Sequence, residues 1–147
     1  MMRGWYEVKM RGILGPEVGD EKKMDVLNRW IEWGKDGIEV RAEARHAVKL
    51  IEEMGLEKGA NGSAAPGKKD ADDGEEEEVA DEPYKIETTR FRGLAARANY
   101  LAQDRPDVQV SAKEICRRMS RPRQRGWESL KRLARYLVRY PELIISF

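Results

Sequence analysis

"NYLAQDRPDVQVSAKEICRRM", residues 99–119, decides how the C-terminal half of the chain folds. An apolar run with helical spacing ends at Asp104-Arg105-Pro106-Asp107, and a second amphipathic run starts at once. Pro106 disfavours the α conformation at Arg105 and fixes a corner, while Asp107 stands where an N-cap or first-turn acid helps the next helix begin. Arg105 has two readings. It pairs with Asp104 or Asp107 and locks the corner, the commoner use of a fork-shaped guanidinium, or it faces a phosphate.

Outward from the corner, three helices follow from the spacing. The first carries Phe91, Leu94, Ala95, Ala98, Leu101 and Ala102 on one face, with Thr88 or Thr89 able to cap its start. The second carries Val108, Ala112, Ile115, Cys116 and Met119, and the third Trp127, Leu130, Leu133, Ala134, Leu137 and Val138. Pro141 stops the third helix, and "LIISF" (143–147) reads as a strand with no partner in view, as in a piece of a longer protein. Upstream, residues 57–83 contain almost no large apolar side chain, so nothing there offsets the chain entropy lost on folding, and the segment reads as a disordered acidic linker. Before it, "EARHAVKLIEEMGL" places Ala44, Ala47, Val48, Ile51 and Met54 at helical spacing, with Gly55 as the C-cap glycine. "VLNRWIEW", "GKDG" and "IEVRA" (26–42) are two β-rich runs around a four-residue turn, a hairpin signal. Residues 1–24 have weak patterning. The expected fold is α+β, mainly α: a hairpin and helix over 1–56, a disordered acidic linker over 57–83, and a basic three-helix unit over 84–147 that ends in a short strand.

The net charge of +1 over 147 residues hides a segregation. Residues 1–56 carry ten basic and eleven acidic groups (net −1), residues 57–83 three and ten (net −7), and residues 84–147 fifteen and six (net +9). Such asymmetry points to a polyanion partner for the last segment. A single cysteine excludes an internal disulfide and fits an intracellular setting, and no apolar run is long enough to cross a membrane. The chain shows no catalytic constellation. His46 has no neighbouring Cys or His ligand, Cys116 lies on an apolar helix face, and the one adjacent aspartate pair, Asp72-Asp73, falls in the linker, where nothing pre-organises it for metals. What remains is the basic segment. Lys131, Arg132, Arg135 and Arg139 lie beside or opposite the apolar stripe of the third helix, and Arg117, Arg118, Arg121, Arg123 and Arg125 crowd the junction before it. The bland reading is a solubilising face, but the imbalance exceeds that of a mixed surface and favours nucleic-acid contact through phosphate neutralisation rather than base reading.

Several separated anchors, in order, resemble the segment of copia-type retrotransposon polyproteins that follows the polymerase palm. The family pattern Y-R-S-L-x-G-x-L-x-Y-L, T-R-P-D-I, R-F-M and H-W-x-A-x-K-R-V-L-R-Y-L is matched here by Phe91-Arg92-Gly93-Leu94, Asn99-Tyr100-Leu101, Arg105-Pro106-Asp107-Val108, Arg118-Met119, Trp127 and Lys131-Arg132-Leu133-Ala134-Arg135-Tyr136-Leu137. More loosely, "YEVKMRGILG" resembles the stretch after the catalytic strand, "VLNRWIEWGKDGIEV" the hairpin Y-F-L-G-I-E-I…G-I-x-L, "RHAVKLIEEMGL" the helix K-Y-A-x-x-L-L-K-x-F-G-M, and "SAAPG" the S-T-P element. The family glycine of the hairpin is replaced near Asn28-Arg29, and the acidic linker is longer than usual. The resemblance implies a late-palm, thumb and connection portion of a reverse transcriptase. The Y-V-D-D strand would lie upstream of Tyr6 and ribonuclease H after Phe147. It implies primer-end contact near Leu27, Asn28, Arg29 and Trp30, and duplex contact through Arg117, Arg118, Arg121, Lys131, Arg132, Arg135 and Arg139. It also implies that the two divalent metals, such as magnesium, belong to the full polymerase, so that this chain alone has no catalytic residue, metal ligand or activity. The alternatives are a stand-alone basic helical module for nucleic acid or an acidic protein, and a remnant without function.

Overall fold

The run "VLNRWIEW" is two strands, not one. Leu27 and Asn28 both take positive φ (53° and 62°) and turn the chain tightly between β1 (Lys23–Val26) and β2 (Arg29–Trp33). This is the geometry of a two-residue type I′ hairpin, whose twist matches that of the flanking strands. The computed structural model describes residues 9–56, 60–68 and 88–147. β2 pairs with β3 (Ile38–Arg41) across the expected four-residue loop, where Gly34 N–H donates to the Gly37 carbonyl at 2.8 Å. Gly37 has φ 143°, and a side chain there would collide with the carbonyl of Phe147. The terminal strand, expected without a partner, is β4 (Ile144–Ser146) and pairs antiparallel with β3. The sheet order is β1-β2-β3-β4, with Met24, Ile31, Val40 and Ile145 aligned in one cross-strand row.

The described residues fall into two units: the chain up to Arg41 with Ile144–Phe147, and Ala42–Leu143. All the fully buried apolar side chains among the described residues lie in the second, helical unit. It holds α1 (Arg45–Glu53), α2 (Thr88–Leu101), one 3-10 turn (Pro106–Val108), α3 (Gln109–Arg117) and α4 (Gln124–Arg139). α1 packs on α2 and α4, so it shares a core with the C-terminal helices rather than with the hairpin that precedes it in sequence. Its buried residues are Ala47 and Leu50, with Ile51 and Met54 packed alongside, whereas Val48, placed on the apolar face from spacing, is half exposed. α1 ends as expected: Gly55 has φ 66°, its N–H donates to the Glu52 carbonyl and that of Leu56 to the Ile51 carbonyl, the two bonds of a Schellman cap. Phe91, Leu94, Ala95, Ala98 and Leu101 of α2, Ala112 and Ile115 of α3, and the fully buried Leu130, Leu133 and Leu137 of α4 form most of the rest of the core. Val138, placed on the apolar face from spacing, is only partly buried and outside it.

The expected linker is described only over residues 60–68; residues 57–59 and 69–83 lie outside the described residues. Residues 60–68 lie against helices. Ser63 N–H donates to the Arg135 carbonyl at 3.2 Å, a Cβ at Gly62 would come 2.6 Å from the Cβ of Arg139, and one at Gly67 would come 2.7 Å from Ser111 Oγ. Glycine lets the backbone approach that closely, a role that composition alone does not reveal.

Candidate nucleic-acid interface

The corner at Pro106 positions everything basic that follows it. Arg105 is 1% exposed and takes the structural role: Nε and Nη2 bind the two carboxylate oxygens of Asp107 at 2.9 and 2.7 Å. The same guanidinium donates to the carbonyls of Tyr140 (3.0 Å) and Pro141 (3.3 Å), and Tyr136 O–H donates to Asp107 Oδ2 at 2.9 Å. One side chain therefore ties the α2–α3 corner to the last turn of α4. Asp107 is a first-turn acid, in the 3-10 turn that leads into α3, but not its N-cap; its carboxylate binds Arg105 and Tyr136. Burial works against its ionisation, but the hydrogen bonds from Arg105 and Tyr136 outweigh that and hold its carboxyl below the usual range. Burial, with the bond to Asp107, pushes the Tyr136 phenol up.

With its C-terminal end fixed, α4 presents the expected cations. Lys131, Arg132, Arg135 and Arg139 are all exposed. At helical spacing they fall within an arc of roughly 100° on the side away from Leu130, Leu133 and Leu137. Lys131, Arg135 and Arg139 follow one another at i, i+4 and i+8, one above the next. Glu128, which accepts from Gln124 Nε2 at 3.3 Å, lies beside this stripe at its N-terminal end. Arg139 also places its guanidinium 5.5 Å from the Tyr140 ring.

The junction residues are arranged less uniformly. Arg117 is exposed and bonded to Glu114 at 2.7 Å. Arg118 donates to the Glu114 carbonyl at 3.5 Å and lays its side-chain stem near Gly126, so only part of it faces outward. Arg121 is exposed on the bend before α4. Arg92, which the sequence reading did not single out, donates to the carbonyls of Met119 (2.9 Å) and Ser120 (3.4 Å) and so holds this bend to α2. The contact spans 27 residues, and no local pattern announces it.

The proposed primer-end residues belong to the sheet unit. Leu27 and Asn28 form its first turn, with Leu27 81% exposed, and Arg29 and Trp30 open β2. Trp30 is half exposed and carries the Lys23 ammonium 4.7 Å above its ring. The two sets lie in separate units, the arginine set in the helical one.

No other chemistry gathers in the described residues. No group of three or more His, Cys, Asp or Glu side chains there is placed to hold a metal ion. His46 lies against Tyr100 with the rings tilted by 49° and their centroids 4.6 Å apart, and burial lowers its pKa, with Arg45, Arg97 and Lys49 acting the same way against Glu43. Cys116 donates weakly to the Ala95 carbonyl, and burial raises its thiol pKa, the opposite of an activated nucleophile. A 430 Å³ cleft lined by Glu53, Met54, Arg90, Gln124, Trp127, Glu128 and Lys131 opens where α1, α2 and α4 meet. No helix among the described residues is long and apolar enough to cross a membrane.

Comparison with known proteins links part of the chain to a mobile element. Fifty-four residues, 37% of the chain, are 35% identical to a retrovirus-related Pol polyprotein from transposon RE2 of Arabidopsis thaliana. The chain spans 4% of that polyprotein's length. No family model matches the chain, and no solved structure matches it significantly.

Proposed function

We propose that this chain is the late-palm, thumb and connection portion of a copia-type reverse transcriptase, and that it supports the template–primer duplex without a catalytic site of its own. The observation that carries the reading is the exposed stripe of Lys131, Arg132, Arg135 and Arg139 on a helix whose other side is fully buried. A rigid rod of cations at 5–6 Å steps suits the phosphates of a duplex backbone. Similarity to a transposon polyprotein supports the same assignment. In this reading the partners are an RNA–DNA or DNA duplex and the polymerase and ribonuclease H modules of the parent polyprotein. The divalent metals reside in the polymerase module, and Leu27, Asn28, Arg29 and Trp30 approach the primer end.

The test is fluorescence anisotropy of a labelled RNA–DNA hybrid across a salt series. About four phosphate contacts at −0.7 to −0.9 each give a slope of log affinity against log salt of about −3. Changing Arg132, Arg135 and Arg139 together to alanine should flatten it by about two units or more. A flat response in the parent, or a triple variant that binds like it, leaves the arginines as a solvated face and defeats the proposal.

A further inference from the structure

Ser120 lies on the exposed bend between α3 and α4, with Arg117 and Arg118 three and two residues before it and Arg121 directly after. Duplex support uses these arginines and leaves the hydroxyl without a role. We propose that Ser120 is a phosphorylation site for an arginine-directed serine/threonine kinase, and that its phosphate turns down the neighbouring polyanion-binding face.

Accessibility together with sequence context separates Ser120 from the other described serines: Ser146 is also exposed but lies in β4, with Leu143 and Ile144 where Ser120 has arginines. Ser111 is buried in α3, Ser129 Oγ is bonded to the Arg125 carbonyl inside α4, and Ser63 Oγ is bonded to the Ala65 carbonyl. Ser120 is outside any helix, and its carbonyl accepts a bond from Arg92 at 3.4 Å. Kinases select substrates by charge pattern, and two guanidiniums upstream of the hydroxyl are a match for carboxylates on an enzyme surface. Arg117 has 60% of its side chain exposed, at the last residue of α3. To lie extended in a kinase, the segment must fray that terminal turn, release Arg92 and lift Met119 and Pro122 from the helices they pack against, a local opening of the bend rather than of the whole unit.

In the reaction the Ser120 oxygen attacks the γ-phosphorus of ATP. The Oγ–P bond forms as the bond to ADP breaks, ADP leaves, and the hydroxyl proton passes to the kinase's base. The product adds a charge of about −1.5 to −2 and three strong acceptor oxygens. Arg92 already reaches the Ser120 carbonyl, and Arg117 and Arg121 flank the bend in sequence, so the phosphate has guanidiniums to gather in charge-assisted bonds. About two cations are thereby withdrawn from a partner.

The switch rests on the duplex-support reading; the modification site does not. The experiment incubates the full chain with ATP and a purified arginine-directed kinase, such as the cyclic-AMP-dependent enzyme. It maps the phosphate by mass spectrometry and repeats the anisotropy titration. One phosphate on Ser120 is expected, lost in Ser120→Ala and slowed more than tenfold in Arg118→Ala. Binding of the hybrid should weaken about tenfold at low salt, with a slope shallower by about one to two. Phosphate on another residue, or none, overturns the site. A modified chain that binds as the unmodified one does overturns the switch alone. A chain that binds no hybrid before modification overturns the switch together with the duplex-support reading, and leaves a mapped site standing.

Discussion

Among the described residues, Arg105 heads the fully buried large side chains and is the charged one in that set. Its guanidinium makes four hydrogen bonds, two to Asp107 and one each to the carbonyls of Tyr140 and Pro141, which makes Arg105→Ala an informative perturbation. Breaking a buried ion pair costs about 3–5 kcal/mol. Asp107 keeps 21% of its side chain exposed and can be rehydrated, which argues for the lower end. The two carbonyls left without a donor add to the loss, at about 1 kcal/mol each if they stay buried. We therefore expect about 3 kcal/mol for Arg105→Ala, or a fall in melting temperature of about 15 °C for a unit of roughly a hundred residues. Arg105→Lys, which keeps the charge and loses the fork, should cost about 2 kcal/mol. Urea unfolding followed by far-ultraviolet circular dichroism measures both. The acid limb supplies an internal check. A folded-state carboxyl held below its ordinary value stabilises fully above that value, and the contribution is lost as pH falls through it towards the folded one. Arg105→Ala should therefore flatten the loss of stability below about pH 4. An Arg105→Ala protein within about 1 kcal/mol of the parent would refute the idea that this network holds the corner.

Three other outcomes follow from local geometry. His46, with its pKa lowered by burial, stabilises fully above about pH 6.5 and progressively less as pH falls through that value, until the lower folded pKa is passed. His46→Phe, which keeps a ring against Tyr100, should remove this part of the pH dependence between pH 7 and 5; an unchanged urea-midpoint profile would count against it. Leu27 sits at φ 53°, a left-handed conformation that costs about 1–2 kcal/mol for a side chain, so Leu27→Gly should slow amide exchange across β1 and β2 by up to about 1 kcal/mol net of glycine's own entropy. Faster exchange in that variant would show that the leucine is held by contacts that outweigh the strain. Gly62→Val drives a side chain into Arg139 and towards the Arg135 carbonyl, so residues 60–68 should become more sensitive to protease, and equal cleavage rates would contradict the close approach.

Local patterns determined the helices, their stops and their cores. Phe91, Leu94, Ala95, Ala98 and Leu101 recur at helical spacing and are all buried, Pro106 breaks the chain where it should, and Gly55 closes α1 with a left-handed turn. The α4 cation stripe was equally legible, because i, i+4 and i+8 positions share a face whatever the helix packs against. Tertiary structure decided the rest. Whether Val48 or Leu50 of α1 is buried depended on where α2 and α4 lie, and an apolar stripe wide enough to hold both does not choose. β4 found β3 across a hundred residues, since a strand's hydrogen-bonding edge carries no address in its own sequence. The two readings of Arg105 were separated only by the arrival of the Tyr140 and Pro141 carbonyls from the far end of α4. A guanidinium offers the same fork to a phosphate as to a carboxylate and two backbone oxygens; Asp107, two residues on, was a partner the sequence offered, and the two carbonyls from the end of α4 are what only the fold could supply.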